Sequence, residues 1–215
     1  MGKNILVVAA TTKEINPFIK LTRTGDINST DILISGIGLT ASTYHLAKQL
    51  ALKKYGLVIQ AGVAGSFDLT IPLGAVVAVK EDAIADQSVI ELQKLRTLFD
   101  LKLVPQDQYP YKKGWLINPN KEVLKKTKLK IVKGISVNQI STSKQLIKFY
   151  RDAFDPVTES MEGAALHYVC LMENVPFVQI RSISNYIGER NKKKWDMMDS
   201  IANLNDTLIK TINNY

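Results

Sequence analysis

Four side chains in this sequence are of the right type, and in the right kind of place, to do chemistry. Glu14 follows the apolar run "NILVVAA" in "AATTKE", and Glu159 and Glu162 stand three apart in "ESMEG". Asn185 ends the stretch "VPFVQIRSISN", where Arg181, Ser182 and Ser184 also interrupt an apolar pattern. Two glycine-rich turns accompany them, "SGIG" and "AGVAG". A carboxylate can take a proton from water or face a developing positive charge, and an amide offers a donor and an acceptor side by side. Each also has a plainer role. Glu14 suits the first turn of a helix, where the dipole favours an acid. Glu159 could cap a helix, and the glycines could serve only tight turns. Glu162 is harder to set aside, because it precedes the small run Gly163, Ala164, Ala165, which suits close packing. A carboxylate there is costly to bury without a partner, either a ligand hydroxyl or a structural hydrogen bond.

The elements that must position these residues follow from hydrophobic periodicity. Strand-like runs are "NILVVAA", "DILISGIG", "GLVIQAGVAG", "GAVVAVKEDAIAD", "LKIVKGISVNQI" and "VPFVQIRSIS". Helical spacing appears in "TASTYHLAKQLALKK", "SKQLIKFYRDAF", "SMEGAALHYVCLMEN" and "KKKWDMMDSIANLNDTLIKTI". The alternation predicts one α/β domain over residues 1–215 with a parallel or mixed central sheet. Residues 92–113 have weak periodicity and are expected to form a long excursion over one face. In such folds ligands bind beyond the carboxyl ends of the strands. Glu14, both glycine turns and Asn185 all fall there.

Composition narrows the function classes. The net charge of +8 is carried mainly by scattered Lys, with no basic–aromatic stripe, so a nucleic-acid groove is not indicated. Cys170 is the only cysteine, which suits a reducing cytosol, and its apolar setting reads as a buried small residue. "ILVVAA" is too short for a signal peptide, and no apolar run is long enough to span a membrane. His45 and His167 lie in apolar helical patterns without ligand-spaced partners, so no metal site is expected. Neither glycine turn completes a dinucleotide fingerprint, and no P-loop occurs.

Taken together, "SMEGAALHYVCLMENVPFVQIRSISN", "SGIGLTAS", "QAGVAGSF" and "VVAATTKE" resemble signatures of the nucleoside phosphorylase/nucleosidase superfamily. The resemblance covers most of residues 1–80 and 130–195 and is weak over 92–128. The pairing of "ESMEGAA" with "QIRSISNYIGERN" is nearest in pattern to the futalosine-hydrolysing branch, with the methylthioadenosine/S-adenosylhomocysteine nucleosidases next. The resemblance implies a three-layer sandwich with a central mixed sheet flanked by helices, and an N-ribosyl hydrolase that needs no cofactor or metal. It implies a purine nucleoside as substrate, no nucleic-acid or membrane partner, a cytoplasmic setting, and a homodimer or dimer-based oligomer. By the same resemblance Glu14 activates water, and Met161 and Glu162 bind the ribose. Ala64 and Gly65 line ribose and base, Ile140 and Ser141 form the base loop, and Asn185 handles the purine.

Three departures from the family pattern matter. Asn185 stands where adenine-directed relatives carry Asp, which favours a 6-oxopurine. Gln60 and Val63 replace the Arg and Ser that hold phosphate in related phosphorylases, which favours water as nucleophile. "DAIADQ" replaces the nucleosidase "RYHD" segment, leaving the 5′ side of the pocket open, with Tyr109 and Tyr111 of the excursion as candidates either to complete it or to form an interface.

Overall fold

A computed structural model describes residues 4–23 and 30–215. β1 (Ile5–Ala9) is wholly buried, as a strand flanked by sheet on both edges and helices on both faces must be. Its alternation assigns the two faces. Ile5, Val7 and Ala9 enter one apolar cluster, while Leu6 and Val8 enter another. α1 (Thr12–Arg23) follows at once, then β2 (Thr30–Ile34), α2 (Leu39–Leu52) and the long β3 (Leu57–Ser66). These three strands run parallel in the order β2–β1–β3.

The rest of the chain bends the sheet into a ring. β4 (Val76–Ile84), β9 (Lys130–Ser136), β10 (Thr158–Ser160) and β11 (Phe177–Tyr186) take part, with the intervening strands introduced below. β3 pairs in parallel with β11, β11 antiparallel with β4, β4 in parallel with β9, and β9 in parallel with β10. β10 then returns antiparallel to the end of β3, through Glu159 opposite Gly65. The expected mixed sheet flanked by helices is present, but it closes on itself over half its width and so is not one flat layer.

α1 and α6 (Met197–Asn213) cover one face around Phe18, Leu204 and Leu208. α2 and α5 (Gly163–Met172) cover the other around Leu46, Leu166 and Phe177. α4 (Lys144–Phe154) closes the end beside Ile135 and Val137. Cys170 is buried, and burial pushes its thiol pKa up. Among the described residues no helix is long and apolar enough to cross a membrane.

Two stretches differ from the sequence reading. "SMEGAALHYVCLMEN" is not helical from its start, because Thr158–Ser160 is the strand that closes the ring and the helix begins at Gly163. The excursion is more regular than its periodicity suggested. β5 (Ser88–Glu91) and β6 (Lys94–Thr97) form a hairpin turned by Leu92 and Gln93, both at positive φ. β7 (Tyr111–Lys112) and β8 (Trp115–Ile117) then add to the β4 edge, followed by the short α3 (Lys121–Thr127). Strands this short carry too few residues for a periodic signal.

Candidate active site

A cleft of about 330 Å³ opens where β1, β3, β10 and β11 end. Glu14, Ala64, Gly65, Ile140, Met161, Glu162 and Asn185 all line it. Ser141 does not. Its backbone N–H donates to Glu159 Oε1 at 3.0 Å, and its hydroxyl donates to Glu159 Oε2. Ser141 is therefore a support for an acid on the cleft wall. Glu159 itself caps no helix, since it lies within β10. Burial raises its pKa, against the two Ser141 hydrogen bonds.

Glu14 is held by a defect in α1. The helix breaks at Ile15 (φ −121°, ψ 21°), just before Pro17, whose ring cannot sit in a regular helix interior. The backbone groups freed there are satisfied by one side chain of α6. Asn205 donates from Nδ2 to the Glu14 carbonyl at 2.9 Å and accepts the Phe18 N–H at 3.0 Å. The Glu14 carboxylate accepts from Thr11 N at 2.9 Å, Thr11 Oγ1 at 3.0 Å and Val63 N at 3.2 Å. Only one of these reaches Oε1, which keeps a lone pair for a proton from the cleft.

Glu162 stands immediately before α5, yet its side chain does not cap that helix. Oε1 accepts the Gly38 N–H at 3.1 Å, and Oε2 lies 3.6 Å from Arg181 Nη1. Burial raises the Glu162 pKa most; Arg181 and the Gly38 N–H pull it down, and Glu14 adds to the rise. Arg181 is the residue that sequence reasoning passed over as a site member. It is 1 % exposed, and its Nη2 donates to Gln60 Oε1 at 2.8 Å. The available signal was an arginine inside an otherwise apolar strand, which burial permits only with full pairing. Gln60 is committed too, since its Nε2 also reaches the Glu162 carbonyl at 3.4 Å.

Gly62 lies between the Glu14 carboxylate and the Arg181 guanidinium. A Cβ there would stand 2.3 Å from Arg181 Nη1 and 3.0 Å from Glu14 Oε1. Gly62→Ala is expected to displace the guanidinium and cost about 1–3 kcal/mol of stability, as overpacking in a filled core does. Urea denaturation reads that loss, and an unchanged midpoint would contradict the close approach.

Asn185 is aimed by a bulge. The pairing of β11 with β3 skips from Ile183 to Asn185, leaving Ser184 as the extra residue. The amide Oδ1 accepts from Ser184 Oγ at 3.0 Å, and Nδ2 donates to the Tyr186 carbonyl at 3.2 Å. Turning the amide over would set its oxygen against that carbonyl, so the nitrogen stays beside Tyr186, with one hydrogen to spare. Gly65 makes room for it, because a Cβ there would meet Asn185 Nδ2 at 3.2 Å and Ile187 Cδ1 at 2.3 Å.

Tyr109 and Tyr111 do not reach the cleft within the chain. They line a separate groove of about 760 Å³ near Phe177, at the opposite end of β11 from Asn185. Tyr109 donates its hydroxyl to the Leu171 carbonyl, and Tyr111 packs against Phe99 and Tyr168. The histidines are structurally occupied: His45 Nδ1 bonds the Ser35 carbonyl at 2.9 Å, and His167 is fully buried. Among the described residues no group of three or more His, Cys, Asp and Glu is placed to hold a metal ion.

The cleft thus sets the carboxylates of Glu14, Glu159 and Glu162, each in a different environment, and a directed amide around one space, a combination suited to sugar and base recognition. Solved structures share the architecture. The Helicobacter pylori MTAN, as a point variant with 5′-methylthioadenosine in its active site, matches with a TM-score of 0.81 at 22% identity over 100% of both chains. A futalosine hydrolase mutant of Helicobacter pylori matches with a TM-score of 0.80 at 22% identity, again over 100% of both. The 5′-methylthioadenosine/S-adenosylhomocysteine nucleosidase of Neisseria meningitidis, bound to methylthio-immucillin-A, matches with a TM-score of 0.78 at 17% identity over 100% of both. At the sequence level the pattern of the phosphorylase superfamily runs through residues 3–212, nearly the whole chain. This protein therefore belongs to the phosphorylase superfamily.

Proposed function

We propose that the chain is a purine nucleosidase that cleaves the N-ribosidic bond of a 6-oxopurine nucleoside with water, and that futalosine is its substrate. Structures of the same fold that are named as nucleosidases or hydrolases support the general reading. In it, Met161 and Glu162 receive the ribose, and the Glu162 carboxylate accepts from its hydroxyls. As the bond from sugar carbon to purine nitrogen lengthens, positive charge develops on the sugar and the nearby carboxylates stabilise it. Glu14 Oε1 accepts a proton as the water oxygen bonds to that carbon. The electron pair of the broken bond leaves with the base, toward the donor on Asn185.

Water is the better nucleophile for this site because β3 offers no anion grip. Gln60 is committed to Arg181 and Glu162, Arg181 to Gln60 and Glu162, and the Val63 side chain carries no donor. The observation that carries the base assignment is the Asn185 orientation. With its nitrogen beside Tyr186, the amide has a hydrogen for a 6-oxo group, whereas a 6-amino group would meet it donor against donor.

The test is product release from futalosine and from methylthioadenosine, each with and without phosphate. Hypoxanthine from futalosine without phosphate is expected. A strict phosphate requirement with a ribose 1-phosphate product would overturn the hydrolase reading, and preferential adenine release would overturn the base assignment. Asn185→Asp should then move the ratio of adenine to hypoxanthine release upward by at least about tenfold. An unchanged ratio would remove Asn185 from that role.

The reading includes a homodimer. Ile37 both lines the cleft and is 61% exposed, and Tyr44 on α2 is equally exposed, so a second copy could cover the open side. Light scattering on the purified protein decides this, a monomeric mass being the contrary result.

A further inference from the structure

A chain of buried polar groups runs beneath the cleft and ends at Glu162. Asp82 comes from β4, Gln179 and Arg181 from alternate positions of β11, and His167 from α5; none is more than 1 % exposed. The directions of its hydrogen bonds are set by chemistry. His167 Nδ1 lies 2.9 Å from the Leu116 carbonyl, which only accepts, so Nδ1 carries the hydrogen and Nε2 is bare. The Gln179 amide nitrogen therefore faces His167 Nε2 at 2.9 Å and Asp82 Oδ2 at 3.2 Å, and its oxygen accepts from Arg181 Nε at 3.1 Å. On its other side Asp82 Oδ1 accepts from Ser136 Oγ at 2.9 Å, and Ser136 Oγ accepts the Ala164 N–H at 2.8 Å. Reversing the Gln179 amide would set its nitrogen against Arg181 Nε–H and its oxygen against two acceptors.

Packing is arranged around this chain. A Cβ on Gly163, the residue after Glu162, would stand 2.2 Å from Asp82 Oδ2 and 2.3 Å from the Gln179 amide. Stability does not account for it. Two buried carboxylates lie near the Arg181 guanidinium, Glu162 beside it and Asp82 beyond Gln179, and apolar residues commonly replace such buried ionic sets without loss of stability. What the arrangement does achieve is a single orientation for Arg181, anchored at Nε by Gln179 and at Nη2 by Gln60, which leaves Nη1 to Glu162.

We propose that Asp82 is a positioning residue for Glu162: together with His167 it orients the Gln179 amide, which holds the Arg181 guanidinium against the carboxylate at the sugar site. This rests on the reading of Glu162 as the sugar-binding carboxylate. Asp82→Ala and Gln179→Leu should each lower kcat/KM for the nucleoside by about tenfold or more, while Asp82→Asn, which keeps an oxygen for Gln179, restores most of it. In a Glu162→Gln background the Asp82→Ala change should cost less than about threefold, because the path ends at Glu162. Full additivity of the two changes, or an unaltered kcat/KM in folded Asp82→Ala, would overturn the proposal.

A readout independent of activity accompanies these assays. The Arg181 Nε–H should give a slowly exchanging NMR signal, assigned by its absence in Arg181→Lys. It should persist in Asp82→Asn and vanish or exchange rapidly in Asp82→Ala, and its retention there would sink the proposed link even if the wild-type protein hydrolysed no nucleoside. Failure of hydrolysis with the expected NMR pattern would count against the functional reading alone. Should Asp82→Ala not fold, Gln179→Leu carries the same two readouts.

Discussion

Glu14→Gln is expected to reduce turnover by roughly a thousandfold while nucleoside affinity stays within about threefold of wild type. The argument begins with the hydrogen bonds. Thr11 N, Thr11 Oγ1 and Val63 N all donate to the carboxylate, so the fold holds Glu14 as an acceptor and aims it into the cleft. A glutamine of the same shape keeps the acceptor toward Thr11 but turns an NH₂ toward the Val63 N–H. It also has no capacity to take a proton from water. Binding draws on Glu162, Met161 and Asn185, which the substitution leaves in place. Single-turnover kinetics with enzyme in excess over nucleoside, beside calorimetric binding, separates the two effects. Equal losses in binding and turnover would make Glu14 a binding group, and an unchanged rate would remove it as the general base.

The second large effect concerns pH and two buried groups that titrate against each other. Burial raises the Asp82 pKa to about 7 from 3.8, despite Ser136, Arg181 and Gln179, all of which favour the carboxylate. Burial lowers the His167 pKa to about 4 from 6.5, with Arg181 adding to the fall and the bond to the Leu116 carbonyl opposing it. Between about pH 4 and 7 the folded chain keeps a proton on Asp82 that the unfolded chain releases, so this group makes stability fall as pH rises. Between about pH 4 and 6.5 the unfolded chain binds a proton on its histidine that folded His167 refuses, so this group makes stability rise. The two slopes oppose each other over nearly the same window.

Removing one exposes the other. Asp82→Asn should give a stability that climbs from pH 4 to 6.5 by on the order of 3 kcal/mol, the worth of the His167 displacement no longer offset by Asp82. His167→Gln should give the reverse slope, with stability falling as pH rises toward 7. Urea denaturation at half-unit steps of pH measures both. A uniform offset with no change of slope in either variant would mean that neither group titrates differently in the fold.

Local features carried much of this protein's description in its sequence. Strands β1, β3 and β11 are apolar runs, and a helix of 3.6-residue spacing is visible in α2, α4 and α6, because a side chain's face is set by periods short enough to read directly. Strand ends marked where Glu14, Gly65 and Asn185 would lie, and the structure brings them to one cleft. β10 was missed because a three-residue strand has no period, and it took its place only once Gly65 and Ile135 were there to pair with. Ser141 was misplaced for a related reason: a loop residue's partner, here Glu159, is chosen by how the loop folds back.

Type and local order were therefore legible from the sequence alone: an α/β chain, acids and an amide at strand ends, and glycines where backbones must come close. Partnership was decided by the tertiary structure. Arg181 pairs with Gln60 across 121 positions of sequence, and Asn205 reaches Glu14 across 191. Gln179, Asp82 and His167 meet only where β4, β11 and α5 converge. Such contacts leave no periodic trace, since each residue is a polar exception within its own element, and burial without water is what forces these exceptions to find one another.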